Sequence, residues 1–141
     1  VAYVYMIHSR WCFNVVTEPR GIPAAVLIRA LEPLAGLPLM ERRRETTRLL
    51  DVARGPARLC EALDIDRRLD GWNLSRGERL WLACDPTFDP ARFRVLRSPR
   101  IGVTSAQQLP LRFFLAPSPF VSGSSKDNRT EDGLFEPTRG P

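Results

Sequence analysis

The chain has 141 residues, 43% apolar and 26% charged, which fits one globular domain or part of one. No apolar run approaches the ~18 residues of a membrane-spanning helix, and the apolar opening Val1–Ile7 is too short, and too soon followed by Arg10, for a secretory signal. Basic residues number 21 against 16 acidic, for a net charge of +5, and all but Lys126 are arginine; that excess points to nucleic acid, or equally to a proteome rich in arginine.

Residues 1–17 are rich in Val, Tyr, Ile, Trp and Phe and predict two strands, Ala2–Ile7 and Trp11–Thr17, joined by the polar turn His8-Ser9-Arg10. Glu18–Pro23 is a loop by its Pro and Gly content. Ala24–Leu31 predicts a third strand, buried on both faces because it is nearly all apolar, with Arg29 its lone charge. From Pro38 to Val52, Leu39, Met40, Leu49 and Leu50 among four arginines predict an amphipathic basic helix. Gly55-Pro56 breaks it, and Pro56 opens a second helix over Ala57–Leu63. Arg79–Cys84, Arg92–Leu96, Ile101–Val103 and Leu111–Leu115 predict short strands. From Ser122 the composition predicts a disordered tail, 122–141, after a body covering 1–121. The fold class is therefore α+β: one mixed domain with a curved, mainly antiparallel sheet and a few short helices. Two short helices cover one face of the third strand at best, so further material is expected before Val1.

Three scattered cysteines, Cys12, Cys60 and Cys84, argue against a disulfide scaffold and for a reducing compartment. With His8 the single histidine there is no CxxC or HxxxH spacing, and no cofactor or metal is expected. A Ser-His or Cys-His nucleophile would have to use His8, and no glycine elbow surrounds any serine.

Five blocks in order then carry a resemblance. Tyr3-Val4-Tyr5 followed by Trp11-Cys12-Phe13-Asn14-Val15-Val16, the strand Ala25–Pro33, the helix start Gly55–Leu63, Ser98–Val103, and Pro110–Phe114 with Ser118–Ser122 resemble the alkyladenine (3-methyladenine) DNA glycosylases. Any one block is weak, and the ordered set is specific. The resemblance implies an enzyme that flips a damaged purine out of duplex DNA and hydrolyses its glycosidic bond. Family members carry an upstream Glu-Thr-Glu-Ala-Tyr type motif whose glutamate activates the water. No such motif occurs here, so the chain resembles the C-terminal two-thirds of such an enzyme and is expected to be inactive alone.

By resemblance, Arg29 helps hold the water and phosphate near that glutamate, and the Ile101 backbone carbonyl helps position the water. A guanidinium in an apolar strand is otherwise a structural ion pair, with Glu18, Glu32 or Asp51 as partner. Tyr5 matches the tyrosine stacked on the flipped base, and Asn14 the asparagine that rejects a guanine 2-amino group; the alternatives are a core tyrosine and a strand-edge asparagine. His8 is the nearest planar candidate for the side chain wedged into DNA, in a hairpin one residue shorter than the family's, and Arg10 could also reach in. Gly102 allows close backbone approach to ligand. Arg58, one turn into its helix, is suited to a DNA phosphate. The implied partner is double-stranded DNA with a damaged purine, met by a monomer in the cytoplasm at the nucleoid, with no membrane. The competing readings are a basic DNA-binding module without hydrolase chemistry and an RNA-binding protein, the latter without a sequence signature.

Overall fold

The computed structural model describes residues 1–128. It falls into two compact units, the first Val1–Asp85 and the second beginning at Pro86. Helices and antiparallel sheets in separate segments make the fold α+β.

The first unit is built on a three-stranded antiparallel sheet of β1 (Ala2–Ile7), β2 (Arg10–Val16) and β3 (Ala25–Leu27), in that order. His8 and Ser9 close the first hairpin with φ of 47° and 59°. Positive φ at both central residues is the backbone twist a two-residue hairpin requires. The register pairs Tyr3 with Asn14, Val4 with Phe13 and Tyr5 with Cys12. Successive side chains alternate between faces, so Ala2, Val4 and Phe13 turn to the core while Tyr3, Tyr5, Cys12 and Asn14 share the other face. The outer edge of β1 is also paired. Val4 donates to the Asp70 carboxylate at 2.8 Å, Ala2 donates to the Trp72 carbonyl at 2.8 Å, and Gly71 donates to the Ala2 carbonyl at 3.0 Å.

Three helices, α1 (Leu37–Arg44), α2 (Leu49–Val52) and α3 (Pro56–Leu63), supply the rest of the core. Pro56 at the first position of α3 has the φ a helix needs and no amide to leave unbonded. Leu59, Cys60 and Ala62 from α3 meet Val4, Phe13, Val52, Ile65, Leu69 and Leu74 in one buried cluster. Arg43 and Arg44 are structural: they donate to the carbonyls of Ala62 and Val52, at 3.0 and 3.2 Å, and Arg44 pairs with Glu61.

Four expected elements differ. The single helix over 38–52 is two. Glu45 adopts φ 49° with its amide on the Arg42 and Glu41 carbonyls, which ends α1. Thr46 then accepts from the Arg48 amide at 3.3 Å, a local bond that competes with helix continuation. The third strand is three residues long, not eight. Ile28 still donates to Phe13, but Leu31 donates to Ala53 at 3.2 Å, so the chain turns from β2 to the α2–α3 junction. Val26 is 54% exposed, so the run is not buried on both faces; apolarity sets what burial would gain and does not itself provide the cover. Arg79–Cys84 forms no strand. The Trp72 indole donates to the Glu78 and Leu80 carbonyls, each at 3.1 Å, and Leu82 donates to Leu74 at 2.9 Å, so these backbone groups serve a loop. Ile101–Val103 is a turn, with Gly102 at φ 71°.

The second unit has one antiparallel pair, β4 (Arg94–Ser98) with β5 (Arg112–Ala116), Ser98 opposite Arg112. Arg112 is only 4% exposed. Its guanidinium donates to the Ser98 hydroxyl at 2.8 Å, the Ser122 carbonyl at 2.6 Å and the Asn128 side-chain oxygen at 2.6 Å, and lies 4.6 Å from the Phe114 ring centre. Residues 122–128, the start of the expected tail, are thus tied to the β4–β5 pair; 129–141 lie outside the described residues. Among the described residues no helix is long and apolar enough to cross a membrane.

Candidate functional site

The face of the first sheet turned away from the helices collects the chemistry. Tyr3 and Tyr5 stand two apart on β1, and their rings stack with centres 5.2 Å apart and planes 26° from parallel. Directly across the ladder lie Asn14 and Cys12. Asn14 is 6% exposed, and its side-chain nitrogen donates to the Tyr3 carbonyl at 3.0 Å, which orients the amide. Arg29 lies two residues beyond the end of β3, whose Leu27 is the partner of Asn14. Its charge acts on Cys12. Burial pushes the Cys12 thiol up, while the Arg29 guanidinium and a side-chain hydrogen bond with Tyr5 pull it down. Tyr5 and Asn14 therefore meet on one face through β1–β2 pairing, and Arg29, just past the end of β3, is near enough to act on Cys12 of that face. A flat π-surface, a fixed amide and a cation together suit a planar heterocycle able to hydrogen-bond.

The other candidates are distributed. His8 sits exposed at the hairpin tip. Arg10, across the turn, lies 3.8 Å from Glu61 of α3, at the mouth of an open cleft of about 380 Å³ that Trp11, Arg43 and Asp64 also line. Arg58 donates to Asp51 at 2.8 Å. Ile101 and Gly102 belong to the second unit, where the Ile101 side chain lies so close to Gly123 that a Cβ there would come within 2.8 Å of it. Sequence reasoning passed over Tyr3 and Cys12, although the period-2 alternation of a strand places them beside Tyr5 and Asn14. Among the described residues no group of three or more His, Cys, Asp or Glu could hold a metal ion.

Residues 1–119 match the methylpurine-DNA glycosylase family. The chain belongs to that family. Its curated relatives include proteins named "Putative 3-methyladenine DNA glycosylase" from three bacteria. The Mesorhizobium japonicum protein is 48% identical over 123 residues, covering 86% of this chain and 58% of that protein. The Granulibacter bethesdensis protein is 46% identical over 125 residues, covering 87% and 58%. The Rhodopirellula baltica protein is 42% identical over 132 residues, covering 90% and 56%. The chain thus spans a little under three-fifths of the length of these methylpurine-DNA glycosylase relatives. The family match runs through both units, so it takes in the tyrosine face of the first and the Ile101 turn of the second.

Proposed function

We propose that this chain is the base-recognition portion of a DNA glycosylase that removes alkylated or deaminated purines. The observation that carries the reading is Tyr5 and Asn14 on one sheet face, with the charge of Arg29 acting on Cys12 of that face, within a chain of this family. In the proposed mechanism the damaged purine leaves the duplex, because its glycosidic bond cannot be reached inside the stack. Tyr5, backed by Tyr3, stacks on it. Asn14 reads its edge and disfavours a 2-amino group. His8, at the exposed tip, fills the space left in the duplex, with Arg10 beside it. Arg29 helps to hold the water and the phosphate; in the second unit, taken by itself, the Ile101 carbonyl and Gly102 keep the roles that the resemblance implies. Gly102 and Arg58 are assigned to the DNA backbone. No cofactor takes part, and the protein acts as a monomer on double-stranded DNA at the nucleoid.

Water must also lose a proton to a base. Glu18 and Glu32, the acidic residues nearest these motifs in sequence, are both exposed, and Asp51 is engaged by Arg58. The 141 residues alone are therefore expected not to excise hypoxanthine or alkylated purines, since losing a general base costs ~10²–10⁴-fold. The test is single-turnover excision by the chain and by a chimera carrying the upstream segment of a curated relative before Val1. Activity in the chimera only is expected. Activity in the chain itself would move the base to Glu18 or Glu32, and inactivity of a folded chimera would leave the alternative, a DNA-binding module without hydrolase chemistry.

A further inference from the structure

The loop 122–128 of the second unit is gripped from inside. The buried Arg112 donates to the Ser122 carbonyl at 2.6 Å, to the Asp127 carbonyl at 3.2 Å and to the Asn128 side-chain oxygen at 2.6 Å, so one guanidinium holds the loop at both ends. Its planar fork has no freedom of its own, and groups bonded to it keep fixed separations. Between those ends Ser124 donates to the Asp127 carboxylate, from its amide at 2.8 Å and from its hydroxyl at 2.7 Å. Gly123 stands in this loop with φ 95°. A Cβ there would lie 2.8 Å from the Ile101 Cδ1 and 3.2 Å from the Asp127 Cβ, so only a bare backbone lets the half-buried Ile101 side chain rest on the loop. The far flank of the Ile101 turn is braced separately: Arg100 donates to the Ser105 carbonyl at 3.5 Å and Gln107 to the Val103 carbonyl at 2.6 Å.

We propose that Gly123 and Arg112 are positioning residues for the Ile101 carbonyl: the loop that Arg112 grips is the seat of the Ile101 side chain, and that seat sets the direction of the carbonyl on the same residue. Gly102, next in the chain at φ 71°, has no side chain to restrain the shared peptide plane. The restraint therefore comes from the Ile101 side, through its contact with Gly123. This rests on the role that the proposed function keeps for the Ile101 carbonyl, and it extends that role to two residues which the reading leaves unassigned. A group that aims a water acts on the rate of the chemical step, so a disturbed seat lowers the rate while lesion binding holds.

The test is single-turnover excision rate beside lesion-DNA affinity in the active chimera. Gly123→Ala should lower the rate about tenfold and leave affinity within about twofold, since a small misplacement of a reacting group costs rate steeply. Ile101→Val lacks the Cδ1 atom, so in that background the same Gly123→Ala change should cost about twofold or less, the coupling a double-mutant cycle reads. Gly21→Ala is the control: Gly21 also has a positive φ, 102°, but a Cβ there meets nothing within 4 Å. It should lower the melting temperature and keep the full rate. Asn128→Ala, which takes one acceptor from Arg112, should slow excision about threefold with affinity kept, and it decides the matter if Gly123→Ala fails to melt as a folded protein. Full rate in folded Gly123→Ala or in Asn128→Ala would overturn the proposal. So would an equal loss in both Ile101 backgrounds, which would assign the effect to backbone strain at φ 95°, or a fall in lesion affinity that matches the fall in rate. A folded wild-type chimera that excises nothing would instead contradict the function proposed above, and this inference with it.

Discussion

The Cys60 thiol, between α3 and β2, is 1% exposed, and its pKa is pushed up to about 12, first by burial, then by the neighbouring Cys12, against a smaller opposing bond to Phe13. In the unfolded chain the same thiol ionises near 9.0. Between those values the unfolded state gives up its proton first and is favoured as pH rises. The contribution of Cys60 to stability is thus complete below about pH 9 and falls away towards pH 12, with Cys12 acting in the same direction. Urea midpoints at about pH 8 and about pH 10 measure this. The midpoint should drop at the higher pH, and drop less in Cys60→Ala; an equal drop in both proteins would remove Cys60 as the cause. The same residue scale holds the site. Cys12 and Asn14 are buried on the tyrosine face, so a small change there is felt by Tyr5 and Arg29.

At the scale of elements, the hairpin β1–β2 was legible because Tyr, Val, Trp and Phe alternate on either side of a polar turn. Its turn is written in less suitable residues: His8 and Ser9 both adopt left-handed φ, at a cost of ~1–2 kcal/mol for an L residue with a side chain. Ser9→Gly should therefore stabilise the protein by about 0.5 kcal/mol, after the added freedom of the unfolded chain is subtracted. A rise in the urea midpoint with an unchanged slope is the expected result, and a fall would mean that the Ser9 side chain contributes contacts of its own. The end of β3 was not legible, because the partner of the Leu31 amide is Ala53, which no local pattern around Leu31 announces. The division of the long basic helix was half legible: Thr46-Thr47 sits in mid-pattern, yet the decisive feature is the backbone at Glu45. Arg112 illustrates the same limit. In the sequence it is one charge within a short predicted strand, and its burial depends on Ser122 and Asn128 arriving from a later segment. The choice of Tyr5, Asn14 and Arg29 came from resemblance, whereas the additions of Tyr3 and Cys12 follow from strand parity alone.

At the scale of the whole molecule, two units share the 141 residues, and the family match spans both. Under the proposed function, the net charge of +5 supplies a general attraction to nucleic acid, which salt should weaken. In the proposed function specificity comes from the tyrosine face, and that is the central claim. The most direct measurement pairs single-turnover excision rate with lesion-DNA affinity in the active chimera, for Arg29→Ala and Tyr5→Ala, each first shown by thermal melting to be folded. Arg29 is assigned to the water and phosphate, contacts strongest in the transition state, so its loss should lower the rate with little change in affinity. Tyr5 is assigned to the flipped base, so its loss should weaken lesion binding relative to undamaged DNA by ~1–3 kcal/mol and leave the salt-dependent component intact. Two folded variants that both keep full rate and full lesion preference would show that these residues serve only the fold and that the base is recognised elsewhere.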